Sequence, residues 1–205
     1  MRMKGGRTVR KRGAALAEFG PVLWMFLILF VIPFLDLISF GTAMGTIMYV
    51  ASFGARTAAG AMTYTDAKNM VGGMEQQMKP FLAFAKTTPI SKGANGQFSA
   101  STSGVSVLVA VTPVDGSAGP GQSPYSQPGN IPNTTPDPND ANPPQYNTNN
   151  CVYQYVVTCS YNVLPLFNFN AVPIPVLRDV PLLGQPVPVV YSATSSVEHP
   201  EGLNN

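Results

Sequence analysis

The sequence predicts an α+β fold: a long N-terminal transmembrane helix continuing into an extracytoplasmic helix, then a small antiparallel β-sheet domain. Three observations lead there. Six of the twelve Lys and Arg residues stand in the first 13 positions (Arg2, Lys4, Arg7, Arg10, Lys11 and Arg12), with no acid among them. The run FGPVLWMFLILFVIPFL, from Phe19 to Leu35, carries no charge. Beyond it, helix-compatible sequence gives way near residue 104 to segments rich in Val, Tyr and Thr separated by Pro, Gly and Asn. Helices followed by strands is the order in which α+β domains segregate their elements.

Residues 1–13 form a basic leader and read as the cytoplasmic flank of a membrane segment, because Lys and Arg resist translocation. Residues 14–35 follow as the membrane helix. Its 22 positions would rise ~33 Å at ~1.5 Å per residue, against a hydrocarbon core of ~30 Å. A membrane helix tolerates Pro21 and Pro33, but Pro33 should bend it, since proline removes a backbone donor and crowds the turn before it. Residues 36–64 contain no proline and only Asp36 and Arg56 as charges, so the helix is expected to continue to Tyr64. Gly41 and Gly45 form a G-x-x-x-G pair, and Ala51, Gly54, Ala55, Ala58 and Ala59 extend the small surface. That spacing lets helix backbones approach closely; the competing reading is a helix weakened by glycine, at ~1 kcal/mol each.

A second helix is expected over 66–79, with Asp66 as N-cap and Pro80 ending or kinking it. Met70, Val71, Met74 and Met78 fall on one face and read as core packing, not as ligands. Strands are expected at 104–112 (GVSVLVAVT), 152–163 (VYQYVVTCSYNV) and 189–198 (VVYSATSSVE). Between the first two, residues 113–150 hold nine prolines and seven asparagines and too few apolar residues for a core, which reads as an extended or disordered loop. The prolines from Pro165 to Pro188 exclude a regular helix or central strand there. The organisation is thus leader 1–13, helix 14–64 and an α+β extracytoplasmic domain at 65–205.

Charge and composition narrow the function. Beyond residue 13 the chain holds six basic and ten acidic residues, a formal −4, so the basic groups are a membrane flank and not a nucleic-acid footprint. Only 11% of residues are charged. The exposed surface must therefore be built from Ser, Thr, Asn and Gln, which suits a subunit packed among copies or partners. His199 is the single histidine, so no Ser/His/Asp constellation or multi-histidine metal site is expected. Neither a phosphate-cradling glycine loop nor a C-x-x-C pair is present. The acids Asp66, Glu75, Asp115, Asp137, Asp140 and Asp179 are scattered and read as solvated. A non-enzymatic protein without cofactor, metal or small-molecule substrate is the expectation. Cys151 and Cys159 leave three outcomes open: a disulfide with each other, other partners, or free thiols. On one straight strand their Cα atoms would lie ~26 Å apart at ~3.3 Å per residue, too far to bridge.

The informative motif is RKRGAALAEF, Arg10 to Phe19. Glu18 stands at the mouth of a membrane helix, where a carboxylate costs up to ~2.5–3.5 kcal/mol unless partnered. A cut after Gly13 would supply a partner, the new amine of Ala14. Gly13, small apolar residues, then Glu18 and Phe19 as the fifth and sixth mature residues resemble the prepilin peptidase site of type IV pilins. Pro21, Asp36, Gly41 and Gly54-Ala55-Arg56 resemble more narrowly the TadE-like minor pilins (pseudopilins) of the tight-adherence pilus system. Residues 157–167 (VTCSYNVLPLF) and Ser195–Glu198 are similar to that family's later strands. The chain differs from the family pattern in the closeness of Pro21 to Glu18, in Pro33 and in the long Pro/Asn-rich insert.

The resemblance implies a pilin-like fold and a role in assembling adhesive pili. It implies processing between Gly13 and Ala14 by a prepilin peptidase, registration of the subunit by Glu18 and Phe19, and other pilin-like subunits and the Tad secretion machinery as partners. It also implies a bacterial inner-membrane location, N-terminus cytoplasmic, with possible entry into a surface pilus as a homo- or hetero-oligomer. The rival expectations are an uncleaved single-pass anchor with an unrelated binding domain, and a secreted protein cut by signal peptidase after Gly41 or Ala43.

Overall fold

The structure, a computed structural model, describes residues 19–92, 97–113, 151–167 and 185–203. Its spine is helix α1, Phe19–Ala59, 41 residues long. Within it lies a π-helical turn, Leu27–Val31, followed by regular α-helix over Ile32–Ala59. Pro33 accounts for the irregularity. It has no N–H to give the carbonyl four residues back, and its ring crowds that turn. The chain answers by bonding the Ile32 N–H to the Leu27 carbonyl, five residues back, a widened turn of the kind that re-satisfies backbone beside proline.

The helix ends at Ala59, with Gly60 next, and does not reach Tyr64 as expected. Thr63, in extended conformation, opens helix α2, Tyr64–Phe84, its side chain accepting from the Asp66 N–H at 3.0 Å. The N-cap is thus Thr63, and Asp66 stands in the first turn, where a carboxylate favours the helix dipole. Pro80 neither ends α2 nor stops it early; the helix runs on to Phe84. Pro80 and Gln76, whose carbonyl loses its donor, are both exposed, so solvent can satisfy that carbonyl. Of the expected apolar stripe, Val71 is buried, Met74 and Met78 are half-buried and Met70 is exposed. The buried positions of α2 are Tyr64, Ala67, Val71, Glu75 and Leu82.

Five strands form one antiparallel sheet, two more than expected: β1 Thr87–Lys92, β2 Phe98–Ala100, β3 Val105–Pro113, β4 Cys151–Val163 and β5 Val187–Ser196. β4 is its axis. β5 pairs along it from Gln154↔Ser196 to Val163↔Val187. β3 (Val105↔Cys159) and β1 (Thr87↔Val163) must therefore share its other side, end to end. β1 and β2 escaped the sequence because TTPISK is short, polar and proline-bearing and FSA is only three residues long; they form by hairpin pairing, Ile90↔Ala100, and not by apolar pattern.

β4 alternates as a half-buried strand must. Tyr153, Tyr155, Val157, Cys159, Tyr161 and Val163 face inward onto α1 and α2. Gln154, Thr158 and Asn162 face out, and the Thr158 hydroxyl meets that of Ser192 at 2.8 Å. The core is continuous along α1. Ala55 and Ala58 pack with Tyr64, Val71, Val109, Tyr155 and Val157. Ala43, Ile47, Val50 and Ala51 pack with Leu82, Ala85, Cys159 and Val163. Alanines and a glycine along this face let the helix lie close on the sheet, so that α1 beyond residue 43 belongs to the folded core. The fold is α+β.

Candidate functional site

The features that can carry function are arranged along α1. One helix near the N-terminus is long and apolar enough to cross a membrane. Its first half is unpartnered among the described residues: Val22, Trp24, Met25, Phe26, Leu29, Phe30 and Phe34 are all exposed, Trp24 at 66%. Its second half buries Asp36, Ser39, Ala43, Ile47, Val50, Ala51, Gly54, Ala55 and Ala58, a single face at three- and four-residue spacing. At ~1.5 Å per residue a bilayer core takes about 20 residues of helix. The 41 residues of α1 are thus enough for a crossing and for the spine of a domain.

The small residues separate into two sets. Gly54 is buried, and a Cβ there would lie 3.3 Å from Val71 Cγ1 and 3.6 Å from Val157 Cγ1. It is the point where α1, α2 and β4 meet. A Cβ on Gly41 or Gly45 would meet nothing within 4 Å, and both glycines are exposed. Their pair faces outward, beside an open apolar groove of about 290 Å³ lined by Gly45, Thr46, Tyr49, Met78 and Phe81. Phe19, the first described residue, is exposed. Gly13, Ala14 and Glu18 lie outside the described residues, as do 114–150 and 168–184.

Among the described residues two carboxylates are buried, and for Glu75 this overturns the solvated reading. Glu75 is 7% exposed. It accepts from the Tyr161 hydroxyl at 2.6 Å, the Ser103 hydroxyl at 2.7 Å and the Gly104 N–H at 2.9 Å. Gly104 also gives its carbonyl to the Ser160 N–H at 2.7 Å. It lies so near the Tyr161 ring that no Cβ fits. Glu75 therefore ties the middle of α2 to the start of β3 and the end of β4. Asp36 is 3% exposed, and its Oδ1 accepts from the Leu166 N–H at 2.7 Å and the Phe167 N–H at 3.2 Å. Lys86 completes this clasp: its Nζ donates to the Leu166 carbonyl at 2.8 Å, and its own carbonyl accepts from the Leu164 N–H at 3.1 Å. Lys86 sits at φ 47, a left-handed conformation costly for a residue with a Cβ. These bonds on either side of its Cα hold it there.

Of the cysteine outcomes left open, the structure excludes the Cys151–Cys159 disulfide. Cys151 and Cys159 lie on one uninterrupted strand, opposite Pro113 and Val105 respectively, and Cys159 is a free, buried thiol. An eight-residue offset on a strand puts them far beyond disulfide reach. Burial, with the nearby Glu75 charge, pushes the Cys159 thiol up to about 12, so it is protonated at neutral pH and a poor nucleophile. Burial also pushes Tyr155 up to about 12, and its hydroxyl has no partner among the described residues. Tyr161 is raised by burial and by its bond to Glu75. His199 Nδ1 lies 3.1 Å from the Glu201 carboxylate at the surface, a contact of little energetic weight.

Sequence reasoning missed the clasps formed by Glu75 and Lys86, though a signal for one existed. Glu75 lies four residues after Val71 on the same helical face, where a solvated acid has no reason to be. Asp36 was singled out, but nothing local in the sequence pairs it with residues 130 positions away. No family model, curated protein or solved structure matches the chain.

Proposed function

We propose that this chain is a non-catalytic, TadE-like minor pilin or pseudopilin with a pilin-like fold. A prepilin peptidase cuts it between Gly13 and Ala14. The mature subunit stays in the bacterial inner membrane through α1, its sheet domain extracytoplasmic, and takes part with other pilin-like subunits and the Tad secretion machinery in assembling adhesive pili. Glu18 and Phe19 register it against its neighbours. The observation that carries the reading is the double use of α1. One uninterrupted helix presents a wholly apolar, uncovered first half and a second half that is the spine of a small antiparallel sheet domain. Joined to the Gly13, Glu18 and Phe19 spacing, this is the architecture expected of a subunit that is stored in a bilayer and assembled through its helix.

The secreted rival fares worse against the same geometry. A cut after Gly41 or Ala43 would fall in continuous helix. It would also remove Asp36, which holds the Leu166 and Phe167 backbone. The uncleaved anchor shares the helix and differs in processing and in what its outer domain binds. N-terminal sequencing of the mature protein separates them: Ala14 as first residue supports the proposal, an intact start supports the plain anchor, and Thr42 or Met44 sinks both. A Gly13→Leu chain that is processed and assembled like the parent refutes the assignment.

A further inference from the structure

The inference rests on the membrane-crossing part of the proposal and concerns the end of the sheet domain nearest the bilayer. If the hydrocarbon core begins at Phe19, ~30 Å at ~1.5 Å per residue is used up by about Ile38. Contacts locate what lies at and just beyond that boundary. Asp36 holds the backbone of Leu166 and Phe167. Leu82 and Ala85 pack in one cluster with Ala43 and Ile47, and Phe81 shares a groove with Gly45 and Tyr49. From Ile38 to Gly45 is roughly 10 Å of helix, comparable with a headgroup layer roughly 5–8 Å deep. The last turns of α2 and the segment 164–167 therefore lie at the surface of any bilayer that α1 crosses.

That end of the domain has a composition of its own. Phe81, Phe84 and Phe167 are exposed there, Phe84 at 62%. Lys79 and Lys86 are exposed beside them, whereas Asp36 and Glu75 are buried. The exposed acids among the described residues are Asp66, Glu198 and Glu201. Asp66 is in the first turn of α2, and the Glu198 N–H bonds the Ala59 carbonyl, so both belong to the far end. The near end is aromatic and basic with no exposed acid among the described residues, whereas at the far end the acids stand with the exposed Arg56 and Lys68. Aromatic side chains with adjacent lysines are what an interfacial surface presents, rings at the acyl boundary and cations at the phosphates.

We propose that this end of the domain docks on the lipid surface of the same bilayer that α1 crosses. Phe81, Phe84 and Phe167 enter the interfacial layer, and Lys79 and Lys86 face lipid phosphates. The domain is then held at two points and cannot swing freely about the helix exit.

Tryptophan quenching by brominated phospholipids tests this on the full chain in vesicles. Trp24 is the protein's single tryptophan and reports the crossing itself. In a Trp24→Phe background, F84W reports the proposed contact and F53W, ~22 Å of helix above Ile38, reports the distal domain. All of these side chains are exposed, so the fold should tolerate the exchange, and far-UV circular dichroism checks it. The expected result is quenching of Trp24 by deep bromines and of F84W by shallow ones, with blue-shifted F84W emission and F53W unquenched. Quenching of Trp24 with F84W as unquenched as F53W overturns the docking and leaves the crossing intact. F53W quenched as strongly as F84W also overturns it. An unquenched Trp24 removes the crossing and the docking together. K79Q should weaken F84W quenching more in phosphatidylglycerol vesicles, where the phosphate charge is unbalanced, than in phosphatidylcholine, where choline balances it; no weakening in phosphatidylglycerol overturns the lysine–phosphate contact.

Discussion

Replacing Glu75 by Ala is the sharpest test of how the sheet domain is held together. The carboxylate is 7% exposed and is shared by three donors, from Tyr161, Ser103 and Gly104. Ala removes the acceptor but leaves the Tyr161 hydroxyl and Gly104 N–H inside. Each stranded buried donor costs ~1–3 kcal/mol, while Ser103 is exposed and can turn to water. Counting the two buried donors and the emptied side-chain volume, a loss of ~3–5 kcal/mol is expected, against a total stability of ~5–15 kcal/mol for an ordinary domain. Glu75→Gln keeps an acceptor oxygen for Tyr161 and Gly104, and its amide can donate to the Ser103 oxygen, so it should lose about 1 kcal/mol. Urea unfolding of the full chain in detergent micelles, followed by the tyrosine near-UV circular dichroism of the sheet, reads both. An E75A midpoint within error of the parent, or an E75Q loss as large as that of E75A, would refute the clasp. In the first case the acid would be dispensable, and in the second its charge, not its acceptor geometry, would be what matters.

Three further outcomes are expected. Native protein should resist maleimide at Cys159 and label fully in denaturant, and peptide mass spectrometry should find no Cys151–Cys159 linkage; either rapid native labelling or that linked peptide contradicts the single-strand geometry. Tyr155 and Cys159 have folded pKa values raised to about 12, from 10.0 and 9.0; both are neutral when protonated, so the stability they contribute is complete below the unfolded values and is lost as pH rises from about 9 to about 12, which a urea midpoint measured along that interval should show as a steady fall. Gly54→Leu should destabilise the domain by ~1–3 kcal/mol through overpacking against Val71 and Val157, whereas Gly45→Leu, with open space around it, should leave the monomer's melting unchanged or higher and, on the proposed function, abolish pilus assembly; a Gly45 variant that unfolds contradicts the outward-facing assignment, and one that assembles normally contradicts its proposed role in assembly.

The secondary structure that was legible in the sequence was that with an apolar period. The charge-free run, the proline-free continuation and the alternation of β4 each announce themselves, because burial on one face imposes a repeat on neighbouring residues. What escaped was set by contacts distant in sequence or by local backbone chemistry. Thr63 outcompetes Asp66 as cap because its backbone is already extended where α2 starts. Pro80 is absorbed because the orphan carbonyl it creates can face water. β1 and β2 have no apolar pattern to read, and Glu75 depends on Tyr161, 86 positions later. Gly41, Gly45 and Gly54 look alike as letters, and only the fold separates the buried one from the two exposed.

That separation bears on how one helix can serve two environments. Seen from the sequence, α1 is predominantly apolar from Phe19 to Phe53, with Asp36 as its one charged residue. A helix of that kind belongs in a membrane or in a core. Position along the helix divides it: only the part from Asp36 onward is covered by this chain's own core. Asp36 is the transition: it is the first buried residue of α1, and its carboxylate holds the segment that follows β4. Below it the uncovered surface needs lipid or another apolar partner; above it one face is covered by this chain's own sheet and the opposite face, with Gly41, Gly45, Tyr49 and Phe53, remains open. On the proposed function, an apolar helix above a membrane with a glycine pair left uncovered is a liability for a solitary subunit. It becomes economical only if copies or partner helices close over it, which is why the exposed glycines, and not the buried one, are where assembly should fail first.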